Sequence, residues 1–524
     1  MKKLNESKIL FFIISLFYAI TNYIYWILNT PIIPYNVDAL HFMDVFRQNI
    51  LYYNAPLIPT IIKSSFYWLS PKYFDLIIIF VNYIFFLAGL YCIYQIGKLI
   101  SSIKTGQISM ILFSLTPAVY SLSRFYGRQD YHVMIMMIIS IFCLIKTDFF
   151  TNRKWTISYS IFIALGLLCK DSFIVYFIIP YIYIIVRSLK NNLSKNVIIN
   201  IILSFIIILL LSSIHYLRPI IIFKLFFEPI SETKTLSILQ NIFKLTFGLS
   251  QELLALPLFI LFIISFLWYL LKYKNTYKQI LVLWLFIPWI TLLLMQHYKE
   301  SIFCMGMIPP IIIISSIYIT KIHKTILRQI LIYIFIILGL LQFFEYSFNI
   351  NVGLTKIAMD FNEKHFCYFN KETNTENKNK KYINFLDNLL QIINKYRLNK
   401  IYIKYNTENV KLKFVDFLNY LNINGIFFNY DSLMSWTDCS KIDTIFYIGD
   451  YLSAKKQLKE YITDIMEHPI SQMDNIDINH YSNEFLKFST EREHYIKENF
   501  VIENEFDFSD SSNNNVKVTV LVRK

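Results

Sequence analysis

The chain has 524 residues, 55% hydrophobic and 18% aromatic, with a mean hydropathy of +0.45. That balance excludes an ordinary soluble globular domain. The formal net charge of +14 is spread thinly over short loops without a basic stripe, which excludes a nucleic-acid-binding surface.

Long apolar runs occupy the first two thirds. Spans are predicted at 9–28, 74–96, 106–123, 131–147, 155–168, 172–187, 197–216, 253–271, 279–295, 302–320 and 327–345. The longest are sufficient to cross a hydrocarbon core of about 30 Å. Lys2-Lys3 followed by Ile9–Leu28 has the outline of a signal sequence, but the run is too long and no small-x-small site follows, so it reads as an uncleaved first span.

The loops form two alternating sets. One set holds 17 bases and only two acids, Glu6 and Asp148. The other holds 11 bases and 10 acids, and the tail after Glu345 holds 22 bases and 24 acids. The positive-inside rule makes the basic loops and the N-terminus cytoplasmic, and it places the mixed loops and the tail outside. A bacterial plasma (inner) membrane is the expected setting.

Two outward loops are long. Loop 29–73 is rich in Tyr, Trp and Pro and is expected to hold interfacial helices. Loop 217–252 is semi-polar and suits a mobile segment over a site. The expected domains are a membrane domain over 1–348 and a soluble, extracytoplasmic α/β domain over 349–524. In the latter, residues 383–396 and 410–422 have helical spacing, while Lys400–Tyr405, Ile426–Asn429, Thr444–Ile448 and Val516–Val522 read as strands. Cys92, Cys143, Cys169 and Cys304 read as packing residues; Cys367 and Cys439 could pair or stay free.

Ionisable residues gather at the outward span ends. Asp38, His41, Asp44 and Tyr53 lie in the first outward loop, Arg128 and Asp130 in the second, and Lys170 and Asp171 in a short break between spans. His297, Lys299 and Glu300 precede the tenth span, near Pro309-Pro310. Isolated charges at that depth are costly, so several at one level predict a polar cavity. No Walker loop, nucleotide fingerprint, zinc-protease helix or nucleophile elbow is present.

The ordered set resembles the GT-C glycosyltransferases, and within them the protein O-mannosyltransferase and aminoarabinose transferase branch (glycosyltransferase family 39-like). It comprises an acid in the first loop, a Pro-Leu segment after it (Asn54-Ala55-Pro56-Leu57), an acid before the fourth span and a base between paired spans. A Pro-rich late helix start and a trailing soluble domain complete it. The chain departs from the branch where relatives carry a lysine before Pro-Pro-Leu, and where Ile302-Phe303 stands for an arginine before an aromatic.

The resemblance implies an inverting transferase that takes a sugar from a polyprenyl-phosphate donor, passes it to a lipid, glycan or protein acceptor, and needs no cofactor. Asp38 would be the base, or else a capping acid of its loop. Asp130 would orient the acceptor or pair with Arg128. Lys170, Arg128, His297 and Lys299 would bind phosphate; alternatively Lys170 pairs with Asp171, and His297 and Lys299 are interfacial. His41, Asp44, Tyr53 and Glu300 would line the acceptor side. A metal held by Asp38, His41 and Asp130 is the disfavoured alternative, relatives of the branch being metal-independent. The competing readings are a lipid-sugar flippase and an oligosaccharide ligase with a diphosphate-linked donor.

Overall fold

The computed structural model describes residues 2–29, 74–124, 129–170, 172–191, 194–216, 238–294 and 301–348, four strands between 401 and 523, and Leu57, Ile61 and Glu498. The chain divides into two compact units. One is Met1–Thr30 with Asp44–Asn370, and the other is Pro31–Met43 with Lys371–Lys524.

The first unit is helical. Its helices are α1 (Lys2–Asn29), α2 (Phe74–Ile100), α3 (Ile103–Ser114), α4 (Pro117–Leu122), α5 (Asp130–Lys146), α6 (Arg153–Cys169) and α7 (Phe173–Asn191). They continue as α8 (Lys195–Tyr216), α9 (Ile238–Phe247), α10 (Leu256–Lys272), α11 (Lys278–Leu294), α12 (Ile308–Lys321) and α13 (Thr325–Phe348). Helix covers each apolar run expected from the sequence. The run at 106–123 is broken before Pro117, which sits where its missing N–H costs nothing, at the start of α4.

Among the described residues, six helices are long and apolar enough to cross a membrane, and α10 and α11 are shorter apolar helices. Helices α5 and α12 are buried along nearly their whole length, as expected for helices apolar on every side. Helices α1, α8 and α13 instead expose rows of Ile, Leu and Phe, including Phe12, Leu210 and Ile337. Such continuous apolar surface is stable only against lipid. The protein is an integral membrane protein.

Hydrogen bonds tie the basic turns to one another at one end of this unit. The Tyr273 hydroxyl and the Asn275 amide both donate to the Ile100 carbonyl, at 2.8 and 2.9 Å. Arg187 donates to the Thr276 carbonyl at 2.7 Å. Asn200 Nδ2 donates to the Phe150 carbonyl at 2.8 Å. That last bond holds an unusual turn, because Asp148, Phe149 and Phe150 all have φ between 47° and 63°. Three consecutive L-residues in the left-handed region cost about 1–2 kcal/mol each. The Arg187 guanidinium, 5.3 Å from the Phe149 ring, clamps the same turn.

Part of the loop expected to be mobile is a docked helix. Asn241 of α9 donates to the Leu292 and Leu293 carbonyls at the end of α11, at 3.0 and 3.1 Å. A π-helical turn, Gly248–Leu253, then leads into α10.

The second unit contains a four-stranded sheet of order β1-β2-β4-β3, with β1 Ile401–Tyr405, β2 Thr444–Ile448, β3 Phe500–Ser509 and β4 Asn515–Arg523. Strands β1 and β2 are parallel, the pairing that a βαβ rhythm predicts; β4 runs antiparallel to both β2 and β3. Strand β3 was not expected. Its Glu503, Asn504, Glu505 and Asp507 dilute the apolar alternation, and a bulge between Ile502 and Asn504 breaks its period. The predicted helices 383–396 and 410–422, the predicted strand 426–429, Cys367 and Cys439 lie outside the described residues.

Candidate functional site

At the end opposite the basic turns, three elements bring charge together. Helix α5 begins with Asp130 in its first turn, where the positive end of the helix dipole favours a carboxylate. Helix α6 ends at Lys170, its C-cap residue, in an extended conformation (φ −167°, ψ 142°). The extended residue turns the chain, so α7 starts only three positions later. Phe173 in its first turn then folds back onto α6, its ring resting over Gly166, where an added Cβ would lie 2.3 Å from it.

Lys170 Nζ donates to both carboxylate oxygens of Asp130, at 2.9 and 2.8 Å. The lysine side chain is 23% exposed and the aspartate 5%, so the cation is the accessible member of the pair. The same ammonium lies 4.7 Å from the centroid of the Phe303 ring, a cation–π contact. Phe303 belongs to the 3₁₀ turn Ser301–Met307 that leads into α12. The Tyr176 hydroxyl of α7 donates to the Phe303 carbonyl. Its ring fits there because residue 306 is glycine; a Cβ would stand 2.4 Å from the ring. Lys170 is thus held by Asp130 on one side and by a pinned aromatic on the other.

A second buried cation lies at the end of α4. Arg124, 3% exposed, donates to Asn22 Oδ1 at 2.8 Å, to Thr21 Oγ1 at 3.3 Å and to Ser347 Oγ. The rings of Phe343, Tyr25 and Phe348 surround it at 4.8, 5.1 and 5.8 Å. It fastens the ends of α1 and α13 to α4 and has no accessible donor to offer a ligand. His132, two residues beyond Asp130, faces α2, where its Nε2 is 2.9 Å from Asn82 Oδ1. It packs edge-on against Phe85, in keeping with a packing role.

Of the residues expected at the site, the structure brings together Asp130 and Lys170. The sequence suggested Arg128 and Asp171 as their nearest partners; the fold pairs the two with each other. Asp38, His41, Asp44, Tyr53, Arg128, His297, Lys299 and Glu300 lie outside the described residues. Sequence reasoning missed Phe303, Tyr176 and Gly306 as supports of Lys170, and Arg124 as a buried tie. A base directly after an apolar run, as at Arg124, was the one available signal.

A family model for the dolichyl-phosphate-mannose-protein mannosyltransferases matches residues 54–216, a stretch that contains both Asp130 and Lys170. The fold is also found in the crystal structure of ArnT from Cupriavidus metallidurans bound to undecaprenyl phosphate. The TM-score is 0.54 at 8% identity, over 96% of this chain and 97% of that one. The family match covers under a third of the chain. ArnT in the apo state gives a TM-score of 0.53 at 10% identity, over 80% of this chain and 89% of that one. At these identities the likeness to ArnT is one of fold. No curated protein matches the chain by sequence. Among the described residues no three His, Cys, Asp or Glu side chains form a metal-binding group. The lysine–aspartate pair joins two of the residues that the sequence marks as site candidates.

Proposed function

We propose that the protein is an inverting glycosyltransferase that moves a sugar from a polyprenyl-phosphate donor to an acceptor at the outer face of the plasma membrane. The observation that carries this reading is the pair of Lys170 and Asp130. It is a cation held at a span end, accessible from the polar side and braced by an aromatic ring, in a fold that also occurs in a protein crystallised with undecaprenyl phosphate.

In the proposed reaction an acceptor hydroxyl attacks the anomeric carbon of the donor. The bond from that carbon to the phosphate oxygen breaks, and polyprenyl phosphate leaves. Asp38, in the first outward loop, takes the acceptor's proton as the sugar gains oxocarbenium character. Lys170 supplies positive charge to the departing phosphate, the point at which charge develops. Asp130 keeps that ammonium in place between turnovers and gives up one of its bonds when a phosphate binds. Arg128, His297 and Lys299 are further proposed phosphate ligands, and His41, Asp44, Tyr53 and Glu300 proposed acceptor-side residues. The reaction as written needs no cofactor. The basic end of the helical unit supports a cytoplasmic N-terminus and a reaction at the outer face.

The test uses the full-length protein in lipid nanodiscs with a panel of labelled polyprenyl-phosphate hexoses and pentoses. Sugar release by the wild type, lost in Asp38→Asn and Lys170→Met, is the expected result. Release that persists in a folded Asp38→Asn protein removes that residue as the base. No release from any monophosphate donor removes the donor class.

A further inference from the structure

Away from the pair, the helical unit has a cavity of about 290 Å³ where α2, α5 and α6 diverge. Ala88 and Tyr91 of α2, Phe142 and Cys143 of α5, and Trp155 and Phe162 of α6 line it. The lining is almost wholly apolar, so the cavity does not attract water. It is not closed. Tyr91 is 49% exposed, and Ala88, Trp155 and Phe162 are half-buried, so the gap opens on the surface that faces lipid. Left empty, such a gap forfeits the dispersion contacts of every side chain around it.

One end of the groove is charged. Lys146 Nζ lies 6.0 Å from the centroid of the Trp155 ring, and Trp155 packs edge-on against Phe142 at 5.4 Å. Trp155 directly follows Arg153 and Lys154, both exposed in the first turn of α6. Asp148 is the sole acid in the connecting turn, so the rim has three bases against one acid. The left-handed turn Asp148–Phe150, fastened by Asn200 and Arg187, fixes how α5 re-enters α6 and so keeps Lys146 beside Trp155. Phe162 lies seven residues into the helix from Trp155, about 10 Å at 1.5 Å per residue, so the apolar floor runs inward from this basic mouth.

We propose that this groove binds one anionic phospholipid from the leaflet at the basic end, its acyl chain along Trp155, Phe142 and Phe162 and its phosphate at Lys146 and Arg153. An apolar slot alone accepts any lipid chain. The basic mouth makes the choice of an anionic headgroup, each base near the surface raising retention about fivefold. The site lies at the opposite end of α5 from Asp130, so it is separate from the donor site proposed above and stands whether or not that reading does.

The test is native mass spectrometry of the full-length protein released from nanodiscs of equimolar phosphatidylglycerol and phosphatidylcholine. The wild type is expected to retain one phosphatidylglycerol in preference to phosphatidylcholine. Ala88→Trp, which fills the slot, is expected to abolish retention of either. The surface pair Lys146→Gln and Arg153→Gln is expected to keep the slot occupied but lose the preference by at least tenfold. Equal retention of the two lipids by the wild type overturns the proposal, as does a preference unchanged in the glutamine pair. Displacement of the retained lipid by added undecaprenyl phosphate also overturns it, assigning the groove to a polyprenyl chain. If Ala88→Trp fails to fold, the glutamine pair alone decides, since Arg153 is exposed and Lys146 only half-buried.

Discussion

The ring of Tyr176 rests against the bare Cα of Gly306, and its hydroxyl donates to the carbonyl of Phe303 three residues earlier. This one contact fastens α7 to the turn before α12. It thereby sets the Phe303 ring beside the ammonium of Lys170. The ammonium of Lys170 is therefore braced by a ring that Tyr176 itself holds in place.

A methyl group at position 306 has nowhere to go, because the fully packed Tyr176 ring occupies its place. Gly306→Ala is expected to destabilise the protein by about 1–3 kcal/mol, the usual cost of overpacking. Tyr176→Phe keeps the ring and removes only the hydroxyl, at about 1 kcal/mol. Thermal unfolding followed by fluorescence-detected size exclusion measures both, and a Gly306→Ala protein as stable as wild type contradicts this packing.

Asp130→Asn removes the charge that neutralises Lys170. The pair is half sheltered, so its loss is expected to fall between the surface and buried limits, at about 2 kcal/mol. The double variant Asp130→Asn with Lys170→Met should be more stable than the sum of the two single changes predicts, because no buried charge is then left alone. Additive losses in that double-mutant cycle would mean the two side chains do not interact.

Arg124 satisfies three hydroxyl or amide partners from two other helices and lies among three rings. Lysine cannot reproduce that fork. Arg124→Lys is expected to cost about 3 kcal/mol by stranding Asn22 and Ser347, while leaving the donor's KM unchanged in any protein that folds. A selective rise in KM without loss of stability would reassign Arg124 to the donor site.

Asn200→Ala removes the donor that holds the left-handed turn. A loss of about 1–2 kcal/mol is expected, with faster proteolysis between α5 and α6. Phe149→Gly tests the same strain from the other side: glycine adopts positive φ freely, so part of the loss should be offset.

The sequence by itself determined the elements that depend on local signals. The apolar runs became helices, since in lipid a backbone can satisfy itself only within its own segment. The charge asymmetry became two distinct ends, and the β-branched alternation at 400–405, 444–448 and 516–522 became strands. Asp130 and Lys170 were legible as site candidates because ionisable residues at span ends are rare.

What only the tertiary structure decided is which side chains meet. Asp130 and Lys170 are 40 residues apart, and nearer partners, Arg128 and Asp171, were available in the sequence. Their pairing depends on how α5 packs against the α6–α7 hairpin, whose own close approach is set by the contact of Phe173 on Gly166. Phe303, Arg124 and strand β3 were hidden for the same reason. An aromatic at a helix start, a base after a span and a bulged acidic strand have no periodic signature of their own. Their roles come from partners that only three-dimensional packing supplies.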